Sequence, residues 1–221
     1  MARNSNFLAD SLNKARSQQA AYVLLCVGFA VLLISRGPAS LLRRDIVSIV
    51  SAAAATLSFM QFRTLSAKAG RLSAGASAEK AVAKSLASLR IKHVLHSVDL
   101  SAGGDADHII LGPVCAVIET KYAKGNVTSV PGGLAASGRK LPRDPVSQAR
   151  RQAAALRRVS GVWSEAVVCM TGMTNKPLKD GDVIVCSLKD LPGVIDTLSR
   201  PLSGGDADRV ASLLGVPNLR G

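Results

Sequence analysis

Residues 104–121, GDADHIILGPVCAVIETK, constrain this chain more than any other stretch. Residues 108–111 are a short apolar run, Gly112-Pro113 is turn punctuation, and residues 114–120 are a second apolar run rich in β-branched side chains. The pattern predicts two strands folded back on each other. Strand side chains alternate between faces, so Glu119 and Lys121 point one way and Thr120 the other. Antiparallel pairing across the turn brings Asp107 to the far end of the second strand, beside Glu119 and Lys121. Two carboxylates and a lysine then meet at the rim of an apolar sheet. Carboxylate oxygens suit hard divalent cations such as Mg²⁺. A cation on Asp107 and Glu119 would polarise a phosphate and acidify a bound water. Lys121 would position that water or offset phosphate charge. The plain alternative is a salt bridge between Glu119 and Lys121, because a pattern this short also arises without any chemistry.

Two further motifs bear on that choice. Asp107-His108, an apolar strand, Gly112-Pro113, a second strand, then Glu119-Thr120-Lys121 and Gly125 resemble the nuclease-related domain (NERD) family, a branch of the PD-(D/E)xK, or restriction-endonuclease-like, nucleases. Upstream, Gly75-Ala76-Ser77-Ala78-Glu79 resembles that family's Gly-x-x-Gly-Glu helix start, with Ala78 where glycine is usual. Downstream, Asp144-Pro145-Val146-Ser147-Gln148 resembles its Asn/Asp-Pro-x-x-Gln helix start. The likeness covers residues 75–148, does not reach residues 1–65, and weakens after about residue 170. It implies an α/β fold with a central mixed sheet flanked by helices and a nuclease using Mg²⁺ or Mn²⁺. It adds Glu79, assisting the metal or its water shell, and Gln148, orienting Lys121 or a phosphate, to the candidate catalytic set. For Glu79, read without the resemblance, compensation of a helix dipole is sufficient.

The charge points toward a polyanion. Lys and Arg number 28 against 15 Asp and Glu, a formal net charge of +13. This favours nucleic acid or an anionic membrane as partner and says nothing of fold. Aromatic residues make up 3% of the chain, so the core is predicted to rest on Ala, Val, Leu and Ile, and stacking of single-stranded bases is not supported. Cys26, Cys115, Cys169 and Cys186 lie singly in apolar runs, without C-x-x-C spacing, and read as structural.

Ahead of these motifs the chain changes character. A basic tail, residues 1–19, carries Arg3, Lys14 and Arg16. The apolar run 20–35 lies in a charge-free window of 19 residues from Ser17 to Ser35 and ends at Gly37-Pro38. About 20 helical residues cross a bilayer core. Residues 46–62 form a second, weaker, Ala- and Ser-rich window. The two predict a transmembrane hairpin, 20–35 and 46–62, with the second helix spanning the bilayer or lying on its surface. The first run is too long for a signal peptide and lacks a clean cleavage site. A hairpin puts six flanking Lys and Arg on the side of the tail and domain and three in the loop, which favours a domain facing the cytoplasm from the cell (inner) membrane. Residues 63–74 read as a Ser/Ala/Gly linker, 75–200 as the NERD-like domain and 201–221 as a C-terminal helix and tail.

Within the domain the patterns predict a helix over 76–89, a strand over 92–100, and a Gly-rich turn over 101–106. A loop over 122–142 and a helix over 145–159 capped by Asp144 follow. Strands over 164–171 and 182–187 flank a polar loop at 172–181. Short helices over 188–198 and 207–214 complete the domain. His93 and His96 face opposite sides of their strand and make poor partners for one metal, and His108 faces away from Asp107. Trp163 reads as core-edge packing. In the 145–159 helix, Val146, Ala149, Ala153 and Leu156 form the buried stripe, with Gln148 and Gln152 beside it. Arg139, Lys140, Arg143, Arg150, Arg151, Arg157 and Arg158 make the best candidate phosphate-backbone surface; a solvated basic helix near anionic lipid is the alternative.

The reading that joins these features is a membrane-anchored, metal-dependent nuclease hydrolysing phosphodiester bonds, with DNA as the expected substrate. It touches the bilayer through residues 20–62 and leaves a homodimer open, since cutting two strands needs two sites. Two alternatives belong to other classes. One is a non-catalytic nucleic-acid-tethering or membrane-adaptor protein that keeps the nuclease fold. The other is a structural membrane protein whose basic face binds anionic lipid.

Overall fold

The computed structural model describes residues 13–14, 17–18, 20–21, 23–24, 27–28 and 41–215. The chain divides into two compact units, residues 2–74 and 75–221. In the first, every described residue is helical, and Val23, Leu24, Val27, Leu57, Phe59 and Met60 are exposed. Among the described residues no helix is long and apolar enough to cross a membrane. The predicted first span, 20–35, lies largely outside the described residues. The second, 46–62, is helical. Residues 63–74, expected as a linker, are helical too, inside a helix α1 that runs Leu41–Ala87. Ala, Leu, Lys and Arg are strong helix formers, and the lone Gly70 costs only about 1 kcal/mol against alanine. The glycine- and serine-flecked composition therefore did not break the helix.

The second unit is α/β. Six strands form one mixed sheet in the order β1-β2-β3-β7-β9-β8. They are β1 His93–Asp99, β2 Asp105–Leu111, β3 Cys115–Gly125, β7 Glu165–Met173, β8 Leu178–Asp180 and β9 Val183–Ser187. β1, β2 and β3 pair antiparallel, β3–β7–β9 pair parallel, and β8 closes the far edge antiparallel. Helix α2, Pro145–Ser160, supplies the crossover from β3 to β7, and α3, Leu191–Thr197, and α4, Gly204–Leu213, follow the sheet.

Both faces of the sheet are covered, which is why its strands read as unbroken apolar runs. Val117 and Val168 pack with Ala149, Ala153 and Leu156 of α2 and Val210 of α4. Their neighbours Ile118 and Val167 pack on the other face with Val82 and Leu86 of α1 and Leu191 and Ile195 of α3. The predicted central mixed sheet flanked by helices is therefore present.

The expected loop at 122–142 is the main departure within this unit. β3 runs on to Gly125, and β4 Val127–Val130, β5 Gly133–Ala136 and β6 Arg139–Lys140 form a small antiparallel sheet. These strands are too short to show a periodicity, yet their turns obey ordinary rules. Pro131 precedes Gly132 at φ +73°, and Ser137-Gly138 stand at φ +48° and +76°, the paired positive angles of a type I′ hairpin turn.

Candidate active site

The site grows from the β2–β3 pairing. His108 is opposite Ile118, so the next step of the register sets Asp107 against Glu119. Asp107 Oδ2 accepts the backbone N–H of Thr120 at 2.7 Å, which ties the start of β2 to the Glu-Thr-Lys segment. Glu119 is fully buried, with 0% of its surface exposed. Its Oε1 accepts from Lys121 Nζ, and its Oε2 accepts from Gln152 Nε2 at 2.9 Å. Lys121 remains 32% exposed at the side chain, so the pair runs from the interior to the surface. The ion pair that the sequence offered as the plain alternative is thus present, built into the carboxylate cluster.

The electrostatics follow from three carboxylates sharing one ammonium. Burial pushes the Asp107 carboxyl up to about 7; Glu119 and Glu79 push the same way, and Lys121 and the Thr120 N–H oppose them. Glu79, partly exposed on the last turns of α1, is raised by burial and by Glu119 and lowered by Lys121. Glu79 therefore stands within electrostatic reach of the other three, where the resemblance placed it.

Gln148, expected in the catalytic set, forms no hydrogen bond to these residues among the described residues. It is partly exposed, and the glutamine that touches Glu119 is Gln152, one helical turn later on the same face of α2. Gln152 is fully buried and also donates to the Asp105 carbonyl at 2.7 Å. The sequence held a signal for it: a glutamine beside the apolar stripe, at the spacing of Ala149, Ala153 and Leu156. Helix α2 itself starts as expected. Asp144 caps it, accepting from the N–H groups of Val146 and Ser147, and Gly161 ends it at φ +71°.

The predicted basic surface divides in two. Arg150 donates to Asp182 at 2.8 Å and to the Asp180 carbonyl. Arg157 donates twice to the Ser164 carbonyl and lies 3.5 Å from the centre of the Trp163 ring. Lys140 donates to the Pro131 carbonyl. These three brace the chain's own loops. Arg139, Arg143, Arg151 and Arg158 are exposed and form no ion pair among the described residues. Trp163, expected as packing, is the platform between Arg157 and Arg200.

The histidines take no part in the carboxylate cluster. His93 bonds Asp208 at 2.8 Å. His96 and His108 share a hydrogen bond between their Nδ1 atoms at 2.7 Å, and burial pushes His108 down to about 4, so this pair is neutral. Cys115, Cys169 and Cys186 are buried and free, in keeping with a structural role, and Cys26 lies outside the described residues.

A mixed α/β sheet presenting Asp107 and, on the next strand, Glu119-Thr120-Lys121 is consistent with a core of the PD-(D/E)xK type. Residues 74–171 match the family model of the nuclease-related domain, NERD, and this stretch holds every candidate catalytic residue. The resemblance of the three motifs to that family is borne out. No curated protein and no solved structure matches the chain.

Proposed function

We propose that the chain is a metal-dependent nuclease hydrolysing phosphodiester bonds, with DNA as its substrate. The observation that carries the reading is the buried Glu119, held between Lys121 and Gln152 and set against Asp107. A carboxylate with no exposed surface does not earn its place as a simple surface ion pair.

The donor set fits a hard cation. Asp107 and Glu119 offer carboxylate oxygens; burial first, then the charges of Glu119 and Glu79, disfavour the ionised Asp107, and a divalent ion would favour it. Among the described residues no group of three or more His, Cys, Asp and Glu side chains could hold a metal by itself. Asp107 and Glu119 would therefore hold Mg²⁺ or Mn²⁺ together with water, the usual way Mg²⁺ is bound. When bound, the ion supplies Lewis acidity toward a phosphoryl oxygen and a more acidic water. Lys121 reaches from Glu119 to the surface and would hold a phosphate oxygen or the attacking water. Glu79 would bind the outer water shell.

Of the predicted basic surface, Arg139, Arg143, Arg151 and Arg158 are left to meet a phosphate backbone. Attachment to the inner membrane, with the domain on the cytoplasmic side, rests on the charge-free window from Ser17 to Ser35 and on the flanking charges. The exposed apolar side chains of the first unit support it.

The test is cleavage of plasmid, single-stranded DNA and RNA by the full chain with Mg²⁺, Mn²⁺ or EDTA. Metal-dependent cutting lost in both Glu119→Ala and Lys121→Ala is expected. Binding retained by both variants, with no cutting by the unmodified chain in any metal, would overturn the reading in favour of the tethering protein.

A further inference from the structure

We infer that Gln152 is the positioning residue of this site, fixing the carboxylate of Glu119 in place and locking α2 to both strands that carry the acids. The kinetic part of this inference rests on the nuclease reading; the structural part does not. Its carboxamide nitrogen has two hydrogens and uses both, one toward Glu119 Oε2 at 2.9 Å and one toward the Asp105 carbonyl at 2.7 Å. Both partners are acceptors only. Turning the amide over would set its oxygen against two oxygens, so the donor face can point one way only.

The consequence is a three-way tie. Asp105 opens β2, two residues before Asp107, Glu119 lies in β3, and Gln152 projects from the middle of α2. Thr120 N–H ties Asp107 to β3 from the other side. With Lys121 on Oε1 and Gln152 on Oε2, each oxygen of Glu119 receives a donor, and the plane of the carboxylate is set before any substrate arrives. Gln148, one turn earlier on the same face, has no such bond to Glu119.

The backbone is shaped to allow this approach. Gly103, in the 3₁₀ turn Ser101–Gly103, sits so close to α2 that a Cβ there would fall 2.5 Å from the Ala155 Cβ and 3.4 Å from the Gln152 Cα. Only a glycine lets this turn and the Gln152 stretch of α2 come together.

The experiment uses the full chain and the apolar substitution Gln152→Leu, which removes both donors. Loss of a partner that orients a metal-binding group costs about 10–100-fold in activity. We expect kcat for plasmid cleavage in Mg²⁺ to fall in that range with KM within about twofold, because the residue does not touch substrate. A spectroscopic readout accompanies it. The side-chain ¹⁵N–¹H₂ pair of Gln152, assigned by its loss in Gln152→Leu, is expected to exchange slowly with solvent and to shift in Glu119→Gln. If Gln152→Leu fails to fold, that pair is assigned by other means and its response to Glu119→Gln decides. A wild-type chain that cuts nothing, with a carboxamide that responds to Glu119→Gln, would sink the nuclease reading and leave the positioning of Glu119 standing. Unchanged kcat in a folded Gln152→Leu, or a carboxamide indifferent to Glu119→Gln, would overturn the inference.

Discussion

The fold disfavours the charge of Asp107. An aspartate in an unfolded chain ionises near 3.9. In the folded protein burial, with Glu119 and Glu79 adding to it, pushes Asp107 up to about 7. Between those two pH values the folded state holds a proton that the unfolded state has released. Stability from this group is therefore full below about pH 4, falls as pH rises, and levels off above pH 7. Three pKa units set an upper bound of about 4 kcal/mol. Asp107→Asn keeps an acceptor for Thr120 N–H and removes the charge. In EDTA at pH 8 it should melt several degrees above the wild type, near pH 4 it should melt with it, and its cleavage should be lost. Thermal melts at the two pH values check this. Adding Mg²⁺ at pH 8 should raise the melting temperature of the wild type only, because binding to the folded state alone stabilises it.

At the scale of elements, α2 does most to assemble the site. Its register against β2 and β3 is set by the close contact at Gly103 as well as by the apolar stripe. Gly103→Ala should cost about 1–3 kcal/mol, the usual penalty of overpacking, read as a lower urea midpoint with an unchanged slope. It should also lower cleavage, because displacing Gln152 disturbs Glu119. The basic side chains of the same helix separate by role. Arg157→Ala should lower stability, since it releases the Ser164 carbonyl and one side of the Trp163 platform. Arg151→Ala and Arg158→Ala should leave stability within about 0.5 kcal/mol, as surface changes do.

For the whole molecule, the net charge of +13 becomes a statement about binding only once the internal pairs are set aside. If Arg139, Arg143, Arg151 and Arg158 contact phosphates, each change to alanine should weaken DNA binding on every sequence. Each should also reduce the slope of log affinity against log salt by about one. Arg150→Ala should change that slope less, because its guanidinium is held by Asp182 and the Asp180 carbonyl. Fluorescence anisotropy over a salt series, in EDTA to prevent cleavage, would separate the two groups.

The sequence by itself determined the parts that depend on local pattern. The apolar runs at 108–111 and 114–120 around Gly112-Pro113 made a hairpin, and strand alternation then obliged Asp107 to meet Glu119 and Lys121. Asp144-Pro145 opened α2, and the apolar stretches at 164–171 and 182–187 became core strands. Only the tertiary structure decided the rest. The strands β4 to β6 are too short to carry a period, and the helix through residues 63–74 overrode Gly70 and the serines around it. Gln148 and Gln152 share one face of one helix, so no local rule separates them. Which of them meets Glu119 depends on how far α2 slides along the sheet, and packing at Gly103, Ala155 and Leu156 sets that position. The same holds for the arginines: Arg150 is spent on Asp182 and the Asp180 carbonyl, far away in sequence, and Arg157 on the Ser164 carbonyl just past the end of α2, contacts that exist only once the chain has folded.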